Sequence, residues 1–244
     1  MCPFFLTTYC MGDTNMRYLK NILLGAIAIF LMGIGPFFGL NERSDKTRSS
    51  YLILCYKNDI LVGAGSGNHF KIRDEKFILT AAHVIDTCDN VRVVEGNQEV
   101  FELSTVVVDE VTDWAILKPE KDLLLKPIKF YRTKPKLGME LDMVSWPSDY
   151  GMVYTKGHLA GSQYLSYYSQ MFCWLGSSGA SVFAADGSFL GVLHGIKVGY
   201  YDPRMPPQLL NGICLVRSLD TISDIEIYKV LKAYDGGEAR YINR

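Results

Sequence analysis

Short apolar runs separated by polar turns dominate the chain between residues 51 and 216. Runs of this length, rich in Val, Ile, Phe and Tyr and bounded by turn residues, are typical of β-strands. Two series of such runs lie on either side of a basic, proline-containing stretch, residues 118–136. Many short strands at this spacing predict an all-β protein built as a sandwich or as barrels. The predicted strands are 51–56, 60–62, 70–72, 77–79, 91–94, 100–108, 114–117, 140–145, 152–157, 181–183, 189–193 and 212–216.

One stretch near the end of the chain has helical periodicity instead. Ser223 is followed three residues later by Glu226, the spacing of a capping box at a helix N-terminus. Apolar residues then recur at helical spacing and form a single face. The pattern predicts a helix over residues 223–234 that docks on the strand-rich body through Ile227, Val230, Leu231 and Tyr234.

The first 40 residues contain a hydrophobic segment, residues 22–40, that carries no charge and follows Arg17 and Lys20. Pro36 interrupts it, and the uninterrupted part reaches roughly 21 Å as a helix, less than the roughly 30 Å of a bilayer core. That length fits the apolar region of a signal peptide, whereas the apolar residues after Pro36 fit an uncleaved anchor. A buried core helix is the third interpretation.

Both membrane interpretations predict the same organisation of the chain. Residues 1–40 are then a leader with a signal or anchor segment, and the polar residues 41–50 are a linker to the body. We therefore expect a membrane-associated or secreted, extracytoplasmic protein that contacts the membrane through residues 22–40.

The charge balance argues against one class of partner. The 25 Lys and Arg against 26 Asp and Glu give a net charge of -1, and the chain has no run of consecutive Lys or Arg residues. A nucleic-acid-binding surface needs a positive patch, so we expect no nucleic-acid partner.

The six cysteines do not form a C-x-x-C pair, which makes a zinc ribbon or a thioredoxin-like motif improbable. Cys55, Cys88, Cys173 and Cys214 lie in the body and allow three disulfide pairings, or four separate thiols, and the sequence does not choose between them. His69 and His158 have no convergent ligands, so we expect neither a metal nor a cofactor.

The glycine-rich stretch 63–67 is not followed by the Lys and the helix that a phosphate-binding loop requires. We expect a close backbone approach between strands there instead.

Three other segments carry candidate chemistry, each with one functional side chain. His83 lies at the end of a β-rich run, Asp113 directly precedes an apolar run, and Ser178 lies in a glycine-flanked turn. An imidazole can take the proton of a serine hydroxyl, and a carboxylate can hold that imidazole in the required tautomer. In α/β-hydrolases the chain order is Ser, Asp, His, whereas here it is His, Asp, Ser. The G-x-S-x-G elbow of those enzymes is also absent, because position 180 is Ala.

The strings LTAAHVID, DWAILK and GSSGASVF resemble the three catalytic blocks of trypsin-like serine peptidases, and most closely those of the HtrA-like and glutamyl endopeptidase branch. The resemblance covers roughly residues 51–220. It implies an all-β fold of two six-stranded antiparallel β-barrels with a C-terminal helix. Barrel one would span about 51–117, the inter-barrel linker 118–136 and barrel two about 137–220. The last segment, 221–244, would hold the helix, packed on the second barrel, and a frayed end.

The same resemblance implies roles for individual residues. His83, Asp113 and Ser178 would form the catalytic triad, and the backbone N–H groups of Gly176 and Ser178 would form the oxyanion hole. Ser177 stands where trypsin has the acid that pairs with a new N-terminus, so we do not expect activation by that switch.

By resemblance, the pocket for the substrate residue before the cleaved bond (S1) would be lined by Phe172, Cys173, His194 and Gly212. An Asp that selects Arg or Lys is missing there, so we expect no strong basic preference. Glutamyl endopeptidases read Glu with a His in the strand of His194, but here the His is displaced by one residue, which points it to the other face. An acidic or Gln preference, an apolar preference and a hydrogen-bonded strand histidine all remain open.

The leading hypothesis is a serine endopeptidase, membrane-anchored or exported, that cleaves protein or peptide substrates through a His-Asp-Ser triad and an acyl-enzyme. The altered loop at Ala180 and Ser181 motivates an alternative, a catalytically inactive binding or scaffold module of the same fold. A viral or phage polyprotein-processing protease would share the chemistry and differ in biology.

Overall fold

The computed structural model describes residues 49–95, 99–148, 150–200, 202, 204–220 and 222–242. The proposed leader, with its hydrophobic segment 22–40, and all but the end of the linker 41–50 lie outside the described residues. Within the described ranges, no helix combines the length and the apolar character that crossing a bilayer requires.

The first six strands close into an antiparallel barrel, because β1 pairs with both β2 and β4 in the order β1-β4-β5-β6-β3-β2. Two short strands extend it: β7 (Ile128–Lys129) pairs in parallel with β2, and β14 (Arg240–Tyr241) with β5. The barrel strands are β1 (Ser50–Lys57), β2 (Ile60–Ile72), β3 (Glu75–Thr80), β4 (Asn90–Glu95), β5 (Glu99–Asp109) and β6 (Trp114–Pro119).

The second barrel is also closed and antiparallel, in the order β10-β13-β12-β11-β8-β9. The predicted all-β fold of two six-stranded antiparallel barrels is therefore confirmed. The sequence pattern missed β10, because its polar residues do not alternate with apolar ones. The strands are β8 (Glu140–Ser145), β9 (Val153–Gln163), β10 (Ser166–Gln170), β11 (Ser181–Ala184), β12 (Phe189–Gly199) and β13 (Gln208–Arg217).

An aromatic cluster joins the two barrels. Phe70 of β2 lies 6.0 Å from Phe183 and 5.6 Å from Phe189, measured between ring centroids, and the latter two belong to the second barrel. Phe130, in the segment between the barrels, completes the cluster at 5.2 Å from Phe70. Buried aromatic pairs of this kind contribute both apolar area and a preferred ring geometry. The cluster therefore joins the two barrels through buried ring contacts.

The helix α1 (Asp224–Ala233) has the predicted capping box, with Ser223 and Glu226 bonded to each other's backbone N–H groups. Its buried residues, Ile227 and Leu231, belong to a hydrophobic cluster built mostly from first-barrel side chains, and the helix packs against β3. The expectation that the helix packs on the second barrel is wrong, because its apolar face meets first-barrel side chains. The expected frayed end is also wrong where it is described, since β14 pairs with β5.

Each barrel contains one disulfide. Cys55 pairs with Cys88 in the first barrel, and Cys173 pairs with Cys214 in the second. The structure thus selects one of the three pairings that the sequence allows.

Candidate active site

The strand-to-turn transition after β3 presents His83. The chain leaves β3 at Thr80 and enters a single 3₁₀ turn, Ala82–Val84, in which Ala82 and Val84 are buried. His83, between them, is exposed. Asp113 lies directly before β6 and has a left-handed φ of 57°, a conformation that Asp tolerates better than most residues.

His83 and Asp113 are joined by two hydrogen bonds. The ring Nδ1 of His83 lies 2.7 Å from Asp113 Oδ2, and the backbone N–H of His83 donates to Oδ1 at 2.9 Å. A carboxylate can only accept, so Nδ1 carries the proton of this bond. The neutral ring therefore keeps its Nε2 lone pair available as a base.

The contact between His83 and Asp113 shifts the pKa of both residues. The hydrogen bond that the His83 ring donates to Asp113 raises the pKa of His83 above its usual value, against a smaller opposing effect of burial. Burial acts to raise the pKa of Asp113, but the hydrogen bonds from the His83 ring and backbone together outweigh it and lower that pKa. Asp113 is therefore a carboxylate whenever His83 works as a base.

Two glycines bring Ser178 against the segment that carries His83. A Cβ on Gly179 would lie 2.1 Å from the carbonyl oxygen of Ser66 and 3.0 Å from the backbone nitrogen of Ala81, two residues before His83. A Cβ on Gly65 would lie 2.6 Å from the Val84 side chain and 3.0 Å from the carbonyl oxygen of Ser178. The 63–67 stretch thus makes a close backbone approach, but to the turn that carries Ser178 and not to another strand as expected.

In the part of the chain that the structure describes, no hydrogen bond joins the Ser178 hydroxyl to the His83 ring. Such contacts in ligand-free sites often tighten only when substrate binds. The structure brings Gly179, next to Ser178, against Ala81, two residues before His83, and leaves this bond unformed.

The loop before Ser178 has a defined orientation. The carbonyl of Leu175 accepts a hydrogen bond from the backbone N–H of Ser148 at 3.0 Å. Carbonyl and N–H point in opposite directions across a trans peptide, so the N–H of Gly176 points away from Ser148. Gly176 has φ +88° and no room for a side chain, because a Cβ would lie 2.7 Å from the Ser148 nitrogen. Only glycine fits this position without strain.

Ser177 stabilises the same loop from inside. Its side chain is fully buried, accepts from the backbone N–H of Trp174 at 3.2 Å and donates to the hydroxyl of Ser145 at 3.2 Å. The loop is therefore held by neutral local hydrogen bonds at the position where trypsin has an acid.

The four expected S1 residues lie in different environments. Phe172 is 40% exposed and packs edge-on against Tyr150. Cys173 is fully buried in its disulfide, and a Cβ on Gly212 would meet open space. Gly212 borders an apolar groove of about 730 Å³ whose other lining residues include Tyr168, Lys197, Leu209 and Ile213.

His194, the fourth, lies beside the candidate triad. Its Nδ1 is 3.9 Å from Asp113 Oδ2, and its Nε2 is 3.3 Å from the Ser166 hydroxyl. Burial, reinforced by the positive charge of Arg217, lowers its pKa to about 4. His194 is consequently neutral near pH 7.

Sequence reasoning missed two residues that bind the loop around Ser178, namely Ser66 and Ser148. Ser66 lies within the string Gly65-Ser66-Gly67, where the paired glycines were the available signal. Their close packing leaves Ser66 against the loop. Ser148 has no comparable signal in the sequence.

Comparison with known proteins is consistent with this geometry. The family profile described as the trypsin-like peptidase domain matches residues 65–192, a range that contains His83, Asp113 and Ser178. Among solved structures, the chain is similar to the serine endoprotease from Yersinia pestis, with 19% sequence identity and a TM-score of 0.60. The alignment covers 78% of this chain and 67% of that one. No curated protein matches the chain significantly. At this identity the structural likeness establishes the fold alone.

Proposed function

Because the chain belongs to the trypsin-like peptidase family, we propose that it is a serine endopeptidase that uses His83, Asp113 and Ser178 as its catalytic triad. The observation that carries the proposal is the paired contact of His83 with both oxygens of Asp113, at 2.7 Å and 2.9 Å. That contact fixes the tautomer and the direction of the imidazole, which is the role of the acid in such a triad. The adjacent glycines support Ser178 as the nucleophile.

The chemistry follows from these positions. The Ser178 Oγ attacks the carbonyl carbon of the scissile peptide bond while His83 Nε2 takes the hydroxyl proton. Asp113 stabilises the resulting imidazolium. The carbonyl oxygen becomes an oxyanion, which the N–H groups of Gly176 and Ser178 would stabilise. His83 then gives its proton to the leaving amine, and the same steps with water release the acyl group and restore Ser178.

These steps need a protein or peptide substrate and water, and they need no cofactor. Groups from both barrels take part, since His83 and Asp113 belong to the first and Ser178 to the second. The crevice between the barrels is therefore the proposed substrate site.

The disulfides support an extracytoplasmic location. Disulfides persist in oxidising compartments and are rare in a reducing cytosol. The two pairs, Cys55–Cys88 and Cys173–Cys214, fit the proposed signal or anchor segment at residues 22–40. We infer that the peptidase body acts outside the cytoplasm, exported or tethered.

A fluorophosphonate probe tests the function directly, because it phosphonylates only a serine that a neighbouring base activates. We expect the full chain to be labelled, the Ser178→Ala variant to be unlabelled and the His83→Ala variant to be nearly unlabelled. Ser162→Ala is a matched control, since Ser162 is an exposed strand residue of the same barrel. It should be labelled like the wild type.

Two results would contradict the proposal. Labelling that persists in Ser178→Ala would remove Ser178 as nucleophile. A folded wild-type chain that neither reacts with the probe nor cleaves a peptide library would favour the inactive binding or scaffold module.

A further inference from the structure

We propose that Ser66 is a positioning residue that holds the oxyanion loop, residues 174–178, in its working shape from the opposite barrel. The proposal rests on the function proposed above and adds to it a residue outside the triad. The hydrogen bonds of Ser66 reach none of the triad side chains. Ser66 acts through the backbone of Gly176 and Ser178.

Four hydrogen bonds converge on Ser66. Its hydroxyl donates to the carbonyl of Gly176 at 2.9 Å and accepts from the backbone N–H of Trp146 at 2.8 Å. Its backbone N–H donates to the carbonyl of Ser178 at 2.7 Å. Its carbonyl accepts from the Thr80 hydroxyl at 2.7 Å. The residue is fully buried, and each of these polar groups has a partner.

Two of these bonds orient the peptide groups on either side of the Ser178 N–H. The Gly176 carbonyl points to Ser66, so the next N–H, that of Ser177, points away and bonds the Trp174 carbonyl at 2.9 Å. Likewise the Ser178 carbonyl points to Ser66, and the N–H of Gly179 points away to the Leu193 carbonyl at 2.8 Å. The intervening peptide, which carries the Ser178 N–H, is thus fixed at both ends.

The arrangement also links the halves of the site. Ser66 belongs to β2 of the first barrel, and Thr80 ends the strand that leads to His83. Trp146 and Gly176 belong to the second barrel, 80 and 110 residues further along the chain. Through its hydroxyl and its backbone carbonyl, Ser66 therefore couples the position of the oxyanion loop to the strand end that presents the imidazole.

A buried serine could instead serve only general stability, so a matched control is needed. Ser50 provides it, because it is also a buried first-barrel serine whose hydroxyl donates across the barrels, to the Val144 carbonyl at 3.2 Å. That bond does not reach the oxyanion loop. Ser50→Ala removes one buried inter-barrel hydrogen bond and Ser66→Ala removes two, but only Ser66→Ala releases the Gly176 carbonyl.

The first measurement is the second-order rate of fluorophosphonate labelling of the full chain. We expect Ser66→Ala to lower this rate on the order of 10- to 100-fold, as misplacement of an oxyanion donor does. Ser50→Ala should change it little, although it also loses a buried inter-barrel hydrogen bond. The Ser66→Cys variant nearly preserves the volume and donates weakly, so it should also lose rate even if the alanine variant folds poorly.

The second measurement, amide hydrogen exchange of the peptide covering residues 172–181, does not depend on activity. Exchange should rise in Ser66→Ala and Ser66→Cys and stay at the wild-type level in Ser50→Ala. Unchanged exchange and labelling in both Ser66 variants would overturn the proposal while leaving the peptidase function intact. A wild type that is not labelled would defeat the proposed function, and the exchange result would still decide whether Ser66 holds the loop.

Discussion

His194 and Asp113 face each other, with His194 Nδ1 at 3.9 Å from the carboxylate oxygen that accepts the His83 hydrogen bond. The carboxylate of Asp113 therefore lies between two imidazoles. They differ in protonation, because the pKa of His83 is raised and that of His194 is lowered to about 4. Only one of them changes charge in the range where a peptidase of this kind works.

That difference predicts that the titration of His194 does not affect the pH dependence of fluorophosphonate labelling. Replacing His194 by Gln removes a ring that is already neutral above about pH 5. We expect the acid limb of the pH–labelling profile to keep its midpoint in His194→Gln, whatever happens to the plateau. A midpoint displaced by this neutral substitution would mean that His194 titrates with the site.

The midpoint of the acid limb of the labelling profile should report the pKa of His83. Labelling requires the neutral ring, and the raised pKa of His83 means that activity begins to fall at a higher pH than for a free histidine as the solution is acidified. Asp113→Asn removes the negative charge that raises this pKa. The limb should then move to lower pH, and the plateau should fall on the order of 10⁴-fold because the tautomer is no longer held. Labelling rates measured from about pH 5 to pH 9 test both expectations. An acid limb that stays in place in Asp113→Asn would contradict them.

The sequence predicted the features that are local along the chain. The His83, Asp113 and Ser178 segments each form a continuous string, and the capping box at Ser223 spans four residues. Strand runs in both barrels were likewise visible because their apolar residues are buried, on both faces at the end of β3 and on one face in β4.

Non-local contacts were not predictable in the same way. The bond from Ser66 to Gly176 joins residues 110 positions apart, and no local pattern encodes it. The helix illustrates the same limit, since its apolar face was evident but the barrel that covers Ile227 was not. The sequence pattern did not predict strand β10, because this strand is defined by its backbone pairing with β9 and β13 and not by its side-chain pattern.

Gly179 should not accept any side chain. Its φ is +88°, and a Cβ would lie 2.1 Å from the Ser66 carbonyl and 2.2 Å from the Thr80 hydroxyl. We expect Gly179→Ala to lose labelling and to destabilise the fold by more than about 1–3 kcal/mol, the usual cost of backbone strain alone. Gly151→Ala is the control, because Gly151 has φ +67° but open space around it. It should cost about 1 kcal/mol and keep labelling. Equal effects of the two substitutions, measured by denaturant unfolding, would show that the crowding at Gly179 is unimportant.

The two disulfides should differ in their resistance to reductant. Cys173 and Cys214 are both fully buried, whereas Cys88 is partly exposed. Under native conditions we expect dithiothreitol to open Cys55–Cys88 first and to reach Cys173–Cys214 only when the second barrel opens. Alkylation followed by peptide mass mapping over time distinguishes the two bonds. Removing either pair should lower the free energy of unfolding by about 2–4 kcal/mol. Simultaneous reduction of both bonds at native stability would contradict the expected order.

Ser177 predicts that the site does not depend on a newly exposed N-terminus. Its hydroxyl is buried and bonded to Trp174 and Ser145, so the oxyanion loop has no buried acid at this position to recruit an α-amino group. Chains that begin at different residues before the first barrel should therefore be labelled by the fluorophosphonate at the same rate. Ser177→Asp should lose labelling, because an unpaired buried carboxylate costs several kcal/mol. Ser177→Ala, which removes the two bonds without adding charge, should cost only about 1–3 kcal/mol and keep part of the rate. A labelling rate that appears only after proteolytic cleavage near the first barrel, detected by intact mass, would show that an N-terminal switch operates here after all.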